Sequence, residues 1–136
     1  VYGRLTYDRQ LAPSFLQIAK PDDPVIVVNS FSKSWAMTGW RMGWLTHPKY
    51  LSEVFGNLVE FNTSGTPEFL QEAGIAAVQD GEGTVAKMVE LCRVGRDVIS
   101  QRLVEMPGVI FSPPVAAFYA FFKVEGMTNS LEFSNQ

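Results

Sequence analysis

A run of four β-branched residues at positions 25–28, Val-Ile-Val-Val, places the tightest constraint on how this chain can fold. Turn-forming residues flank the run on both sides, which is typical of a short strand that is buried on both faces. A helix is predicted just before it, over residues 13–20, because Pro13 suits the first helical turn. A helix followed by such a strand predicts an α/β fold with a parallel sheet.

Apolar spacing predicts three further helices after a second strand at residues 43–46. The first begins at Pro48 and repeats apolar residues at the intervals of an amphipathic helix. The second begins at Thr66, whose hydroxyl we expect to cap it, and ends at Gly81. The third is long, running from Thr84 to about residue 105.

The pattern changes after the long helix. Short strands are predicted at residues 109–111 and 117–122, around a proline-rich turn, so alternating strands and helices give way to a separate small α+β unit. We therefore predict that residues 1–94 are the C-terminal part of a large domain and that residues 95–136 begin a small one. The sheet of the large domain is expected to be parallel or mixed.

Composition excludes several classes of partner. A net charge of −3 without a basic stripe argues against nucleic acid, and no apolar run approaches the roughly 20 residues that span a bilayer. One cysteine, Cys92, cannot form an internal disulfide and fits a reducing, cytoplasmic compartment. We predict no metal site. Because the chain starts without methionine and stops in an apparent new helix, we expect it to be part of a longer protein.

The residues with the most chemical potential follow the first strand. Ser30, Ser32, Lys33 and Arg41 bring two hydroxyls, an amine and a guanidinium within a dozen positions, at the strand end where open α/β sheets bind ligands. This set is a candidate anion site with an amine beside it. The flanking large apolar residues would bury the loop, and a lysine in such surroundings is a candidate Schiff-base nucleophile. The alternative is an ordinary turn with solvated charges.

These residues also carry a resemblance to a known family. The segment Ser-Phe-Ser-Lys at 30–33, followed by Met-Thr-Gly-Trp-Arg-x-Gly at 37–43, resembles the cofactor-attachment signature of class I and II aminotransferases, which are fold type I pyridoxal-phosphate enzymes. Residues 1–2 are similar to the tail of that family's Asp-Glu-x-Tyr strand end. Residues 113–119 are similar to the strand that opens its small domain.

The resemblance implies a role for each matching residue. Lys33 would hold pyridoxal 5'-phosphate in a Schiff base and then shuttle a proton, while Arg41 would clamp the phosphate with help from Ser30 and Ser32. Tyr2 would donate a hydrogen bond to the cofactor's ring oxygen. We assign the remaining tyrosines, Tyr7, Tyr50 and Tyr119, to packing with a solvated hydroxyl. The only histidine, His47, is assigned to helix capping or to the surface.

The resemblance further implies an aminotransferase that moves an amino group between an L-amino acid and a 2-oxo acid, as a homodimer at full length. A lyase or synthase of the same family stays an alternative, because it has the same lysine and the same phosphate-binding residues. A second alternative is an aminotransferase-like effector domain of a transcription regulator, which a helix-turn-helix upstream would identify. A third is a protein that keeps the signature but does not bind the cofactor. In the family, the acid that pairs with the pyridinium nitrogen would precede Val1, and the arginine for the substrate carboxylate would follow Gln136. We therefore expect this chain alone to have little activity.

Overall fold

A computed structural model describes residues 1–9 and 11–135 of the chain. Two antiparallel strand pairs and four helices make up its regular structure. In chain order the elements are β1 (Val27–Ser30), β2 (Gly43–Thr46), α1 (Ser52–Thr63), α2 (Glu68–Asp80), α3 (Glu82–Glu105), β3 (Val109–Phe111), β4 (Phe122–Val124) and α4 (Ser130–Ser134). Single 3-10 turns lie at Phe15–Gln17, Thr38–Trp40 and Lys49–Leu51.

Strand β1 lies two residues later than predicted, and its partner explains why. It pairs with β2 in a register that joins Val27 to Thr46 and Ser30 to Gly43. Extending that register would place Val25 opposite Pro48, which has no N–H to donate. The pairing is antiparallel, so the parallel arrangement expected for this strand is wrong for this pair: the loop 31–42 turns the chain back without a crossover helix.

The expected burial of β1 on both faces is also wrong within the described residues, since the side chain of Val28 is 59% exposed. Similarly, the helix predicted for residues 13–20 is reduced to the turn Phe15–Gln17. Ser14 and Gln17 form a capping box there. Because prolines lie at both ends of this segment, too few residues remain for helix hydrogen bonds to offset the unfavourable free energy of nucleating an α-helix.

Helices α1, α2 and α3 confirm the three predicted helices. The capping role predicted for Thr66 is wrong, because Pro67 occupies the N-cap and no side chain caps α2; the side-chain amide of Gln71 instead donates to the Thr66 carbonyl at 2.7 Å. Helix α3 runs without interruption through residue 94, so the domain boundary there stays a prediction. No helix within residues 1–9 and 11–135 is long and apolar enough to cross a membrane.

The strand predicted for residues 117–122 begins only at Phe122, in β4, which pairs with β3. Residues 115–117 instead pair with the start of the chain. The Tyr7 N–H donates to the Val115 carbonyl at 2.9 Å, and the Ala117 N–H donates to the Leu5 carbonyl at 2.7 Å. We call this pairing of residues 5–7 with residues 115–117 the terminal ladder. It joins the two units that the sequence pattern separates.

The buried core is small, and it lies beneath the loop 31–42 and the terminal ladder. Its apolar members are Leu5, Phe31, Met37, Val85 and Leu103. The accessible surface is 10172 Å², whereas a compact monomer of 15.1 kDa exposes about 7100 Å². Much apolar surface in this chain therefore lacks cover from the described residues.

Candidate functional site

The loop 31–42 starts and ends at the same point of the β1–β2 pair. The Phe31 N–H donates to the Met42 carbonyl at 3.2 Å, directly beyond the last strand pair, Ser30 with Gly43. A side chain at position 43 would not fit, because a Cβ there would lie 2.3 Å from the Asn29 carbonyl oxygen. The close approach that glycine permits therefore closes the loop.

Trp35 anchors the middle of the loop. Its indole N–H donates to the Ala77 carbonyl near the end of α2 at 2.7 Å, and the Arg4 guanidinium lies over the indole, 5.4 Å from the ring centroid. Arg4 in turn pairs with Glu82 through two hydrogen bonds, one of them 2.7 Å long. The hydrogen bond of Trp35 to α2 and its contact with Arg4 thus hold the loop in place.

The two predicted serines lie in contact with each other. Ser30 Oγ lies 2.8 Å from Ser32 Oγ and accepts the Ser32 backbone N–H at 3.0 Å. It also lies 3.3 Å from the Met42 carbonyl oxygen. Since one hydroxyl proton serves one acceptor at a time, a bound anion could take over one of these hydroxyl donors.

Lys33 follows the serine pair and is half-buried. Its Nζ lies 5.4 Å from the centroid of the Phe118 ring, a cation–π distance. Within the described part of the chain, no carboxylate forms a salt bridge with this amine. A primary amine that is not bound to an acid is available to condense with a carbonyl once it is deprotonated.

Arg41 lies on the returning arm of the loop, directly before Met42. Its side chain is exposed, and its Nη1 donates to the Thr38 carbonyl at 2.8 Å. Among the described contacts, none joins this guanidinium to Lys33 or to either serine. The structure therefore brings the two serines together. The Lys33 amine lies at the Phe118 ring, and the Arg41 guanidinium binds the Thr38 carbonyl in its own turn.

Backbone strain is concentrated around the same residues. Among the described residues, four that are not glycine have positive φ: Ala36, Arg41, Ser64 and Ala117. Two of these lie in the loop 31–42, and Ala117 directly precedes the Phe118 ring that contacts Lys33. Such conformations cost on the order of 1–3 kcal/mol each and are most often retained at functional sites.

Tyr2 has a partner that the sequence did not indicate. Its hydroxyl is hydrogen-bonded to that of Tyr119, and the two rings pack edge to face with centroids 5.4 Å apart. The bond to Tyr119, followed by loss of hydration, raises the pKa of Tyr2 above its ordinary value of 10.0. Nothing near Tyr2 in sequence points to this contact, because the terminal ladder that creates it joins distant segments. Tyr119 is exposed, as the predicted solvated hydroxyl requires, but the hydroxyl also bonds to Tyr2.

Two clefts flank the loop. One, of about 610 Å³, is lined by Tyr2, Ser30, Ser34, Trp35 and Trp44 among others, and its size lies within the usual range for small-molecule sites. The other, of about 620 Å³, lies against α2 and has no predicted site residue on its wall. Lys33 and Arg41 lie outside the linings of both clefts.

The other residues considered in the sequence have structural roles. The Tyr7 hydroxyl donates a hydrogen bond to the Ala117 carbonyl, so the solvated hydroxyl predicted for Tyr7 is wrong. His47 packs against Phe55 with ring centroids 4.8 Å apart, at the start of the segment leading into α1. Tyr50 is exposed. Over residues 1–9 and 11–135, no cluster of three or more potential metal ligands occurs.

The fold is that of solved aminotransferases. An aspartate aminotransferase from Thermotoga maritima superposes with a TM-score of 0.82 at 32% identity, covering 99% of this chain and 34% of that one. An alanine aminotransferase from Pyrococcus furiosus gives 0.76 at 33% identity, covering 97% and 35%. The prediction of a mixed α/β fold of this type is confirmed.

Sequence comparison narrows the class to a family. The family described as aminotransferase class I and II matches residues 1–135, and the chain belongs to that family. Relatives include an aspartate aminotransferase of Pinus pinaster, 37% identical over 89% of this chain and 25% of its own length. A probable N-acetyl-LL-diaminopimelate aminotransferase of Bacillus subtilis is 36% identical over 98% of this chain and 33% of its own length. The chain thus spans about a quarter to a third of these relatives.

Proposed function

We propose that the protein carrying this chain is a pyridoxal-phosphate-dependent aminotransferase, which moves an amino group between an L-amino acid and a 2-oxo acid. The main support is the hydrogen-bonded pair of Ser30 and Ser32 at the end of β1, with Lys33 next in sequence and Arg41 on the returning arm of the same loop. Membership of the aminotransferase family supports it.

The donor set fits this cofactor. When bound, pyridoxal 5'-phosphate supplies an aldehyde that condenses with an amine and a ring that accepts electrons from the substrate. Lys33 would make the covalent attachment as a Schiff base, and the serine hydroxyls would bind the phosphate. A guanidinium has five N–H donors, so Arg41 can reach a phosphate with the donors that do not bind Thr38.

Lys33 also has the properties of a proton carrier. As a free amine, its Nζ would take a proton from the substrate α-carbon and donate it again. The Phe118 ring that contacts Nζ restricts where the amine can point. Tyr2 would direct its hydroxyl to the ring oxygen of the cofactor.

The substrate class follows from the relatives, whose names include aspartate, alanine and diaminopimelate aminotransferases. Their diversity supports an L-amino acid with a 2-oxo acid partner and leaves the pair open. We further propose a cytoplasmic homodimer. The single cysteine suits a reducing compartment, and the uncovered apolar surface suits further protein contacts.

The test is an activity panel on the full-length protein. Purified protein with pyridoxal 5'-phosphate is incubated with single L-amino acids and 2-oxoglutarate, and the new amino acid and 2-oxo acid are measured. We expect turnover that Lys33→Ala abolishes and Lys49→Ala, at an exposed lysine, retains. Product formed without any 2-oxo acid acceptor would instead identify a lyase, and equal activity of Lys33→Ala and the parent would reject the proposal.

A further inference from the structure

The contact between Tyr2 and Tyr119 joins residues 117 positions apart in the chain. The hydroxyls are hydrogen-bonded and the rings pack edge to face, an arrangement that fixes both the distance and the relative orientation of the two phenols. Tyr119 is otherwise 58% exposed, so its hydroxyl has water available as an alternative partner. Its contact with Tyr2 is therefore a specific feature rather than a result of burial.

The backbone sets the position of Tyr119. The terminal ladder holds residues 115–117 against residues 5–7 by two backbone hydrogen bonds. The Tyr7 hydroxyl adds a third bond, to the Ala117 carbonyl, and Ala117 itself has positive φ. This turn after the ladder directs the following two aromatic residues to the side of the chain where Tyr2 lies.

The aromatic residue next to Tyr119, Phe118, also contacts the amine of Lys33. The ring of Phe118 packs edge-on against Tyr2 with centroids 5.4 Å apart, and Lys33 Nζ lies 5.4 Å from the centroid of that same ring. One aromatic side chain therefore contacts two of the residues that the proposed function places around the cofactor. Tyr119, next along the chain, completes the group.

We propose that Tyr119 is a positioning residue for the Tyr2 hydroxyl; this inference rests on the proposed function, because it concerns how Tyr2 addresses the cofactor's ring oxygen. Each phenol carries one proton and can both donate and accept. When Tyr119 donates to Tyr2, the proton of Tyr2 is free to bond the ring oxygen. When Tyr2 donates to Tyr119, that proton is occupied. The pair thus sets whether Tyr2 is available as a donor.

The first test needs no cofactor. Full-length protein with 13Cζ-labelled tyrosine is titrated by NMR, and the Tyr2 signal is assigned from its loss in Tyr2→Phe. Because the bond to Tyr119 raises the pKa of Tyr2, Tyr119→Phe should lower that pKa, while Tyr50→Phe at an exposed tyrosine should leave it in place. Lys33, whose Nζ lies 5.4 Å from the centroid of the Phe118 ring, is kept in every variant. An unchanged Tyr2 titration in Tyr119→Phe would overturn the inference.

The second test uses protein loaded with pyridoxal 5'-phosphate and follows the pH midpoint of its visible absorption. Tyr119→Phe should shift this midpoint in the direction opposite to Tyr2→Phe, because it frees the Tyr2 proton for the ring oxygen. The double variant should show the shift of Tyr2→Phe alone, because Tyr119 acts through Tyr2. Fully additive shifts would contradict the inference while leaving the proposed function standing. Absence of any visible band in the parent protein would instead reject the proposed function, and the inference with it.

Discussion

At the scale of single residues, Arg41 is the predicted group whose side chain has most to change on binding a ligand. Its exposed guanidinium donates to the Thr38 carbonyl. Its backbone directly precedes Met42, whose carbonyl accepts hydrogen bonds from Ser30 Oγ and the Phe31 N–H. The αL conformation of Arg41 keeps it at this turn. We therefore expect a change of the Arg41 side-chain rotamer, and no movement of the loop, if Arg41 binds an anion.

We expect Arg41→Ala to weaken binding of pyridoxal 5'-phosphate by about tenfold to a hundredfold, since a hydrogen bond to a charged group contributes about 1.5–3 kcal/mol. Arg41→Lys should recover only part of the affinity, because an ammonium lacks the planar fork of a guanidinium. Equilibrium dialysis measures this, with Arg102→Ala at an exposed arginine as the control. Equal affinities for Arg41→Ala and the control would contradict the assignment.

Residues close in sequence were predictable, and those brought together by tertiary contacts were not. The serine pair follows from local geometry, because a Ser-x-Ser turn places one hydroxyl near the next N–H. Tyr119 could not be found in this way. Its contact with Tyr2 depends on the terminal ladder, whose pairing of distant segments leaves no periodic signal in either one.

At the scale of elements, the loop 31–42 depends on close backbone contact at Gly43. A Cβ there would lie 2.3 Å from the Asn29 carbonyl oxygen, whereas one at Gly39 would meet nothing within 4 Å. We expect Gly43→Ala to destabilise the folded protein by about 1–3 kcal/mol, as overpacking usually does, and to lower the melting temperature by several degrees. Gly39→Ala is the control in the same loop, and identical melting temperatures for the two variants would refute the predicted clash.

The ion pair of Arg4 with Glu82, which lies below Trp35, gives a prediction about pH. The hydrogen bond from Arg4 holds the pKa of Glu82 below its ordinary value of 4.5. A lowered carboxyl pKa stabilises the fold above pH 4.5, and this stabilisation is lost as the pH falls through the folded-state value. Thermal melts between pH 7 and pH 3 should therefore show less acid sensitivity in Glu82→Gln than in Glu60→Gln, a change at an exposed acid on α1. Matching acid profiles would show that the pair has no such role.

Elements with a strong local signal were predicted well, and their partners were not. Helix α3 and strand β2 follow from apolar spacing, and β2 has the predicted bounds. The position of β1 was missed by two residues, because its limits depend on where Pro48 interrupts the partner strand. Residues 117–121 have strand-like composition but form no strand, since Ala117 bonds to Leu5 instead of to β3.

At the scale of the whole molecule, the main feature is uncovered apolar surface. Phe61 and Phe121 are 93% and 94% exposed, and apolar patches of this extent are normally covered by protein. Because the chain spans a quarter to a third of its relatives, we expect the 136-residue chain expressed alone to bind the dye ANS strongly and to lack measurable transaminase activity. The full-length protein is the control. Weak dye binding by the isolated chain, or turnover by it, would contradict this expectation.

The predicted division of the chain at residue 94 belongs to the same scale. Helix α3 crosses that position without a break, and the terminal ladder ties residues 5–7 to residues 115–117. If residues 1–94 and 95–136 are two units, they share a helix and a hydrogen-bonded ladder.

The most direct measurement of the central claim is the site of covalent attachment of the cofactor. Full-length protein is loaded with pyridoxal 5'-phosphate, reduced with borohydride, digested and analysed by mass spectrometry. We expect a phosphopyridoxyl group on the peptide that contains Lys33, its loss from that peptide in Lys33→Ala, and no change in Lys49→Ala. A modified lysine elsewhere with residue 33 unlabelled, or an equally labelled Lys33→Ala protein, would contradict it.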